Sequence, residues 1–176
     1  MSEPLREQLT LEPIADAPEV GRWLSALEDG RRDTLRELET VTPAMLDWRP
    51  DAPLNSIGTL LYHIALIEAD WLLDEIQGRD DYPDWLHEVL PYPDRDGTGA
   101  LIRVDNQPLS RHVDRLGRVR SFVLDELKPM SVVDFHTVRA RRRYDVSPAW
   151  VIHHLLQHEA EHRSHIAWLR DTYRRG

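Results

Sequence analysis

The chain contains no cysteine, so disulfides, thiolate-held zinc and cysteine nucleophiles are all excluded. Any metal it binds must be held by histidine and carboxylate. Lysine is nearly absent as well, Lys128 being the single one. No segment approaches the ~20 apolar residues of a membrane span. The amino-terminal Met1-Ser2-Glu3-Pro4 lacks a basic stretch followed by an apolar one, so no signal peptide is visible and a cytoplasmic location is expected. Basic residues number 22 against 31 acidic, a net charge of -9, and a surface that acidic repels phosphate backbones. Neither a nucleic acid nor a membrane is therefore an expected partner.

What remains is a soluble-type composition, 41% hydrophobic and 30% charged, in 176 residues, enough for one domain with a substantial core. Four segments carry helical periodicity. The first opens after Asp16, with Pro18 in its first turn, and its stripe runs Val20, Leu24, Leu27, Arg31, Thr34, Leu38 up to Pro43. A polar, proline-rich link over residues 47–53 follows. The second helix starts at Asn55 or Ser56, either a good N-cap, carries Ile57, Leu60, Leu61, Ile64, Ile67 and Trp71, and ends at Gly78. A long irregular connection to about residue 107 contains Pro83, Pro91, Pro93, Gly97 and Gly99, with one short helix expected around residues 85–90.

The third helix spans about residues 110–127, with Val113, Leu116, Val119, Val123 and Leu127 inward, and Pro129 stops it. Residues 135–146 alternate weakly, as an extended segment would. Ser147 as N-cap and Pro148 at the first helical position begin the fourth helix, which continues to about Tyr173. Four comparable helices predict an all-α, four-helix bundle over residues 1–176. The length of the second connection predicts a crossover between helices two and three.

Five of the nine histidines fall between positions 153 and 165. The inward seam of the last helix reads Val151, Leu155, His158, His162, His165, Leu169, placing three imidazoles where packing alone would want leucine or valine. His158 and His162 are one turn apart, so their rings can converge on one ion. His153 points away from this face, and His154 lies at its margin. A third ligand must come from another helix. His63 fits, flanked by Leu60 and Ile67 on the apolar side of helix two; alone, it also fits a hydrogen-bonded core histidine. For the pair, an absent metal would leave four buried ring nitrogens to satisfy, at about 1–3 kcal/mol for each left unpaired.

Trp48-Arg49-Pro50, then Asn55-Ser56-Ile57-Gly58 and His63, resembles the entry to the second helix of the DinB-like (DinB/YfiT) superfamily. The stretch from Val146-Ser147-Pro148-Ala149-Trp150-Val151 to His158-Glu159-Ala160-Glu161-His162-Arg163 resembles that family's last helix. Where the family continues with Arg-Gly-Gln-Ile, this chain has Arg163-Ser164-His165-Ile166. The resemblance implies a four-helix bundle with a long crossover. It also implies a site for one divalent ion with His63, His158 and His162 as ligands, zinc or nickel first, iron or manganese next. Family members often pair through their helices; with Arg31 on the seam of helix one as a polar point to satisfy, this gives the expectation of a homodimer.

Three protein ligands leave a coordination position open, as in catalytic zinc sites, where bound water falls to a pKa of ~7. Some relatives transfer low-molecular-weight thiols such as bacillithiol or mycothiol onto electrophiles. A small-molecule thiol cosubstrate suits a chain without cysteine, since the nucleophile then arrives from outside. A thiol S-transferase is accordingly the leading functional expectation, with a metal-dependent hydrolase next and a non-catalytic metal-binding stress-response protein as the third reading. Glu159, Glu161 and His165 are the candidate proton-transfer groups, although Glu159 and Glu161 also fit a solvated helix face. His165 extends the ligand row by about 4.5 Å beyond His162, which favours a place behind the ligands over a fourth bond. The basic cluster Arg139, Arg141, Arg142, Arg143 reads as a clamp for an anionic substrate or, more simply, as salt bridging to the acidic surface.

Overall fold

A computed structural model describes residues 8–50 and 54–176. Residues 1–7, which include the amino-terminal stretch read for targeting, and residues 51–53 of the proline-rich link lie outside the described residues.

Four long helices form the bundle: α1 (Pro18–Leu38), α3 (Ile57–Asp70, continued by a π-helical turn over Trp71–Gln77), α5 (Leu109–Leu127) and α7 (Pro148–Tyr173). Three short ones lie between them, α2 (Pro43–Leu46), α4 (Asp84–Val89) and α6 (Val132–His136). Local chemistry sets the ends. Ser56 accepts the Thr59 N–H and Ser147 accepts the Trp150 N–H, while Pro148 takes the first position of α7. Gly78, at φ 68°, closes the π-helical turn in the left-handed conformation that a side chain disfavours. No helix of the described residues is long and apolar enough to cross a membrane.

Side-chain contacts fix the directions. Arg163 reaches the Gly30 carbonyl, Arg170 that of Glu37 and Arg174 that of Thr40, so α1 and α7 run parallel. On the other side, Glu68 binds Arg120 and Gln77 binds Glu126, so α3 and α5 are parallel too. The pairs oppose each other: Trp71 stacks on His154 while His63 meets His158 across α3 and α7. Two consecutive parallel helices need a connection that returns the length of the bundle, and residues 78–108 provide the expected crossover. They cover the outer face of α3, which is why every residue from Ile57 to Leu66 is buried rather than a single stripe.

Sequence periodicity misplaces two features. The deepest line of α7 passes through Ile152, Leu155, Glu159 and Ile166, so His158 and His162 stand at its flank, half-buried, and His165 is exposed. Residues 135–146 are not one extended segment. Phe135 and His136 end α6, started by Ser131 accepting the Asp134 N–H, and a minimal hairpin pairs β1 (Arg139–Ala140) with β2 (Asp145–Val146).

The core also holds charge. Arg31 of α1, Glu68 of α3, Arg120 of α5 and Glu159 of α7 are 6%, 2%, 3% and 3% exposed. Arg31 Nε donates to Glu159 Oε1 at 2.7 Å and its Nη2 to Glu68 Oε2 at 3.0 Å. Arg120 Nε donates to Glu68 Oε1 at 2.6 Å and Nη2 to Glu159 Oε2 at 2.9 Å. Arg31 Nη1 donates to the Leu116 carbonyl, and Arg120 Nη1 to the Leu27 carbonyl and, at the edge of the buried group, to Glu28 Oε1 at 3.1 Å. The solvated-face reading of Glu159 is thus corrected: its two oxygens close a network of four buried ionic side chains. Arg31 likewise finds its partners inside the bundle and gives no reason for a dimer.

Burial alone would raise the Glu159 carboxyl, but Arg31 and Arg120 outweigh it and hold the group well below the ordinary carboxylate range. A carboxyl depressed by folding stabilises fully above its unfolded value and loses that contribution as pH falls toward its folded value. Glu159→Gln, which leaves two buried guanidiniums short of an anion, is expected to lower unfolding free energy by about 3–5 kcal/mol at pH 7. Urea melts should show that gap narrowing as the pH falls below the ordinary carboxylate range.

Candidate metal centre

His63 emerges from α3 between Leu60 and Ile67 and is only 7% exposed. Its Nδ1 lies 2.7 Å from Asp94 Oδ1, in the middle of the crossover. A carboxylate can only accept, so Nδ1 carries the hydrogen and, in the neutral ring, Nε2 presents its lone pair. From α7, His158 Nε2 stands 3.1 Å from His63 Nε2, and His162 Nε2 stands 3.0 Å from His158 Nε2. One donor atom from each of the three residues lies within 4.8 Å of the others.

This donor set fits a divalent ion. A neutral ring nitrogen either donates or accepts, so His158 Nε2 cannot make well-aligned hydrogen bonds to both neighbours at once. A cation accepts all three lone pairs together. Burial, then repulsion from the neighbouring rings, lowers His158 to about 3 and His162 to about 4, so both are neutral at pH 7. His63 is lowered too, by burial, against the pull of Asp94. Among the described residues His162 Nδ1 is buried with no hydrogen-bond partner, which leaves its tautomer free to follow whatever engages Nε2. Asp94 stands behind His63 as carboxylates do behind zinc-bound histidines, fixing tautomer and ring plane.

The three nitrogens face a cavity of about 430 Å³. Ile67, Trp71, Leu101 and His154 supply its apolar and aromatic wall, and Asn55, Arg95 and Glu161 its polar groups. Trp71, on the π-helical turn, stacks on His154 with centroids 4.1 Å apart. Trp150 adds a third ring, nearly coplanar in orientation with His154 at 5°.

Of the three proton-transfer candidates, the structure brings only Glu161 to this cavity. Glu159 is held in the ion network on the adjoining face of α7. His165, its ring centroid 5.8 Å from that of His162, is exposed and lines a separate, smaller pocket with Leu54, Asn55, Leu60 and Trp168. Its place matches neither a fourth ligand nor a group lining the cavity. In the arginine cluster, Arg141 donates to the Glu75 and Ile76 carbonyls at the end of the π-helical turn, so it caps a helix terminus. Sequence reasoning missed Asp94 altogether. It sits in an aperiodic stretch, Tyr92-Pro93-Asp94-Arg95, where no spacing rule ties it to a histidine 31 positions earlier.

A family profile described as DinB superfamily matches residues 26–166. No curated protein matches the chain. Among solved structures, one described as the conserved protein of a locus from Enterococcus faecalis matches with TM-score 0.62 and 15% identity, over 84% of this chain and 92% of that one. At that identity the likeness speaks for the fold alone.

Asp94→Asn is expected to weaken divalent-metal binding about 10–100-fold, the usual cost of losing the carboxylate behind a ligating histidine. His165→Gln should leave it unchanged. Competition against a chromophoric chelator measures both.

Proposed function

The chain belongs to the DinB superfamily, and on that premise we propose a divalent-metal-dependent enzyme that transfers a low-molecular-weight thiol to an electrophile. His63, His158 and His162 hold the ion. The observation that carries this reading is the convergence of three neutral imidazole nitrogens on one face of a cavity. Three ligands from the protein match the open arrangement of catalytic sites rather than the closed one of structural sites. Imidazole ligation suits zinc or nickel best, with iron and manganese behind them.

When bound, an ion held by neutral ligands keeps its full charge and makes a thiol or water nucleophilic at neutral pH. The chain's own residues do the rest. Asp94 holds the His63 ring in one tautomer. Ile67, Trp71 and Leu101 exclude water from one side of the reacting space. Arg95 and Asn55 offer donors to the polar parts of a substrate, and Glu161, exposed at the cavity, takes the proton released by the incoming nucleophile. The absence of cysteine fits this division of labour, since the sulfur comes with the cosubstrate.

Purified protein is expected to carry about one divalent ion per chain and His158→Ala to carry none, by elemental analysis. Equal metal in the two would end the assignment. Metal-loaded protein should consume thiol and electrophile together in a panel of both, and chelation should stop it. Turnover of esters without thiol would replace the transferase by a hydrolase. Glu161→Gln should lower kcat by about 10²-fold or more with metal content unchanged, the ordinary loss for a positioned base.

A further inference from the structure

Tyr62 precedes His63 on α3 and is 1% exposed. Its hydroxyl does not stay within the helix bundle. It donates to the Tyr92 carbonyl at 2.6 Å and accepts the Tyr92 N–H at 2.8 Å, so one phenol engages both backbone groups of a single crossover residue. Tyr92 lies two residues before Asp94, the carboxylate on His63 Nδ1. Pro93 between them fixes one backbone dihedral and stiffens the link. The tyrosine ring is itself fixed: the Arg115 guanidinium lies over it, 4.8 Å from the centroid. Arg115 is 2% exposed, and its hydrogen-bond partners among the described residues include no carboxylate. Its Nε donates to the Val89 carbonyl at 2.9 Å and its Nη2 to Gln107 Oε1 at 2.7 Å, which are two further points of the same crossover.

We infer that Tyr62 is a positioning residue for the metal centre: by clamping Tyr92 it holds Asp94 against His63, and Arg115 holds the clamp. The inference rests on the metal reading above and deepens it. Adjacent positions of α3 divide the work. His63 faces the cavity, and Tyr62, about 100° further round the helix, faces the crossover and places the carboxylate that orients its neighbour. Between α4 and α5 the crossover has no helical ladder to fix Asp94. Its remaining local supports are the Ile102 N–H on the Asp94 carbonyl and the Arg95 side chain on Asp94 Oδ2. Neither ties Asp94 to α3, on which His63 stands; the Tyr62 hydroxyl does.

Tyr62→Phe removes the clamp and keeps the ring under Arg115. The full chain should then bind zinc about 3–10-fold more weakly, a part of the about 10–100-fold that loss of the carboxylate itself costs. In an Asp94→Asn background the same change should cost nothing further, because there is no carboxylate left to place. A general loosening of the bundle would instead lower affinity equally in both backgrounds. A second readout needs no metal: nitrogen-15 imidazole spectra of the metal-free chain should show His63 in a single Nδ1–H tautomer, and a mixture in Tyr62→Phe. Unchanged zinc affinity and an unchanged His63 tautomer in Tyr62→Phe, or effects that add in the double variant, overturn the inference alone. A wild-type chain that binds no zinc overturns it together with the metal reading.

Discussion

Every long helix contributes one charged side chain to the same buried point: Arg31 from α1, Glu68 from α3, Arg120 from α5 and Glu159 from α7. Apolar packing tolerates small slips of one helix along another, because one methyl group replaces the next at modest cost. Buried ions do not, since moving either partner away leaves an uncompensated charge in a poor solvent. The network therefore acts as a register pin for all four helices at once. His158 immediately precedes Glu159, and His63 is five positions before Glu68. With the pin in place, the phase of each helix is set, and His158, rotated about 100° from Glu159, comes to the flank of α7 that meets α3. Charge in the core sets where the imidazoles meet.

The same interaction explains which parts of the fold and site were legible in the sequence. Caps and breakers act within a few residues, so Pro18, Ser56, Gly78, Ser147 and Pro148 mark helix ends that the structure places where the sequence does. The four helices and the crossover followed from them. The pairing of Arg31 with Glu159 spans 128 positions, and nothing local distinguishes a buried glutamate from a solvated one. Reading α7 by apolar periodicity alone assumed that charge faces water. That assumption shifted the seam by about one residue and placed His165 inside when it is exposed. His158 and His162 stayed together through the shift because residues four apart share whichever face they occupy.

The site itself divides along the same line. His158 and His162 carry a spacing signature, His63 stands between apolar flanks, and all three fall in a family pattern, so each can be read from the chain. Asp94 has neither, because a carboxylate on an irregular segment is placed by tertiary contacts: the Tyr62 hydroxyl on Tyr92, Arg115 on the Val89 carbonyl and Gln107, and Arg49 on Asp105 at 2.6 Å. Arg49 belongs to the Trp48-Arg49-Pro50 motif, and the motif's physical content is now plain. Trp48 packs edge-on against Tyr173 of α7, while Arg49 and Asp47 fasten the far end of the crossover through Asp105 and the Asn106 N–H.

Helix direction thus governs the site. Because α3 and α5 run parallel, a short turn cannot join them, and some thirty residues must travel back along the bundle. A chain segment of that length has to satisfy its own backbone groups and be held down. The groups that hold it come mainly from α3, α5 and the segment before α3. Gly58 allows a close approach on this face: a Cβ there would stand 3.2 Å from both the Val104 carbonyl oxygen and His112 Nε2. In return the crossover covers α3, supplies Asp94 behind His63, and lines the cavity through Arg95 and Leu101. An antiparallel hairpin of the same two helices would have left His63 without its carboxylate and the cavity without one of its walls. The connection that the topology requires is also the element that completes the site.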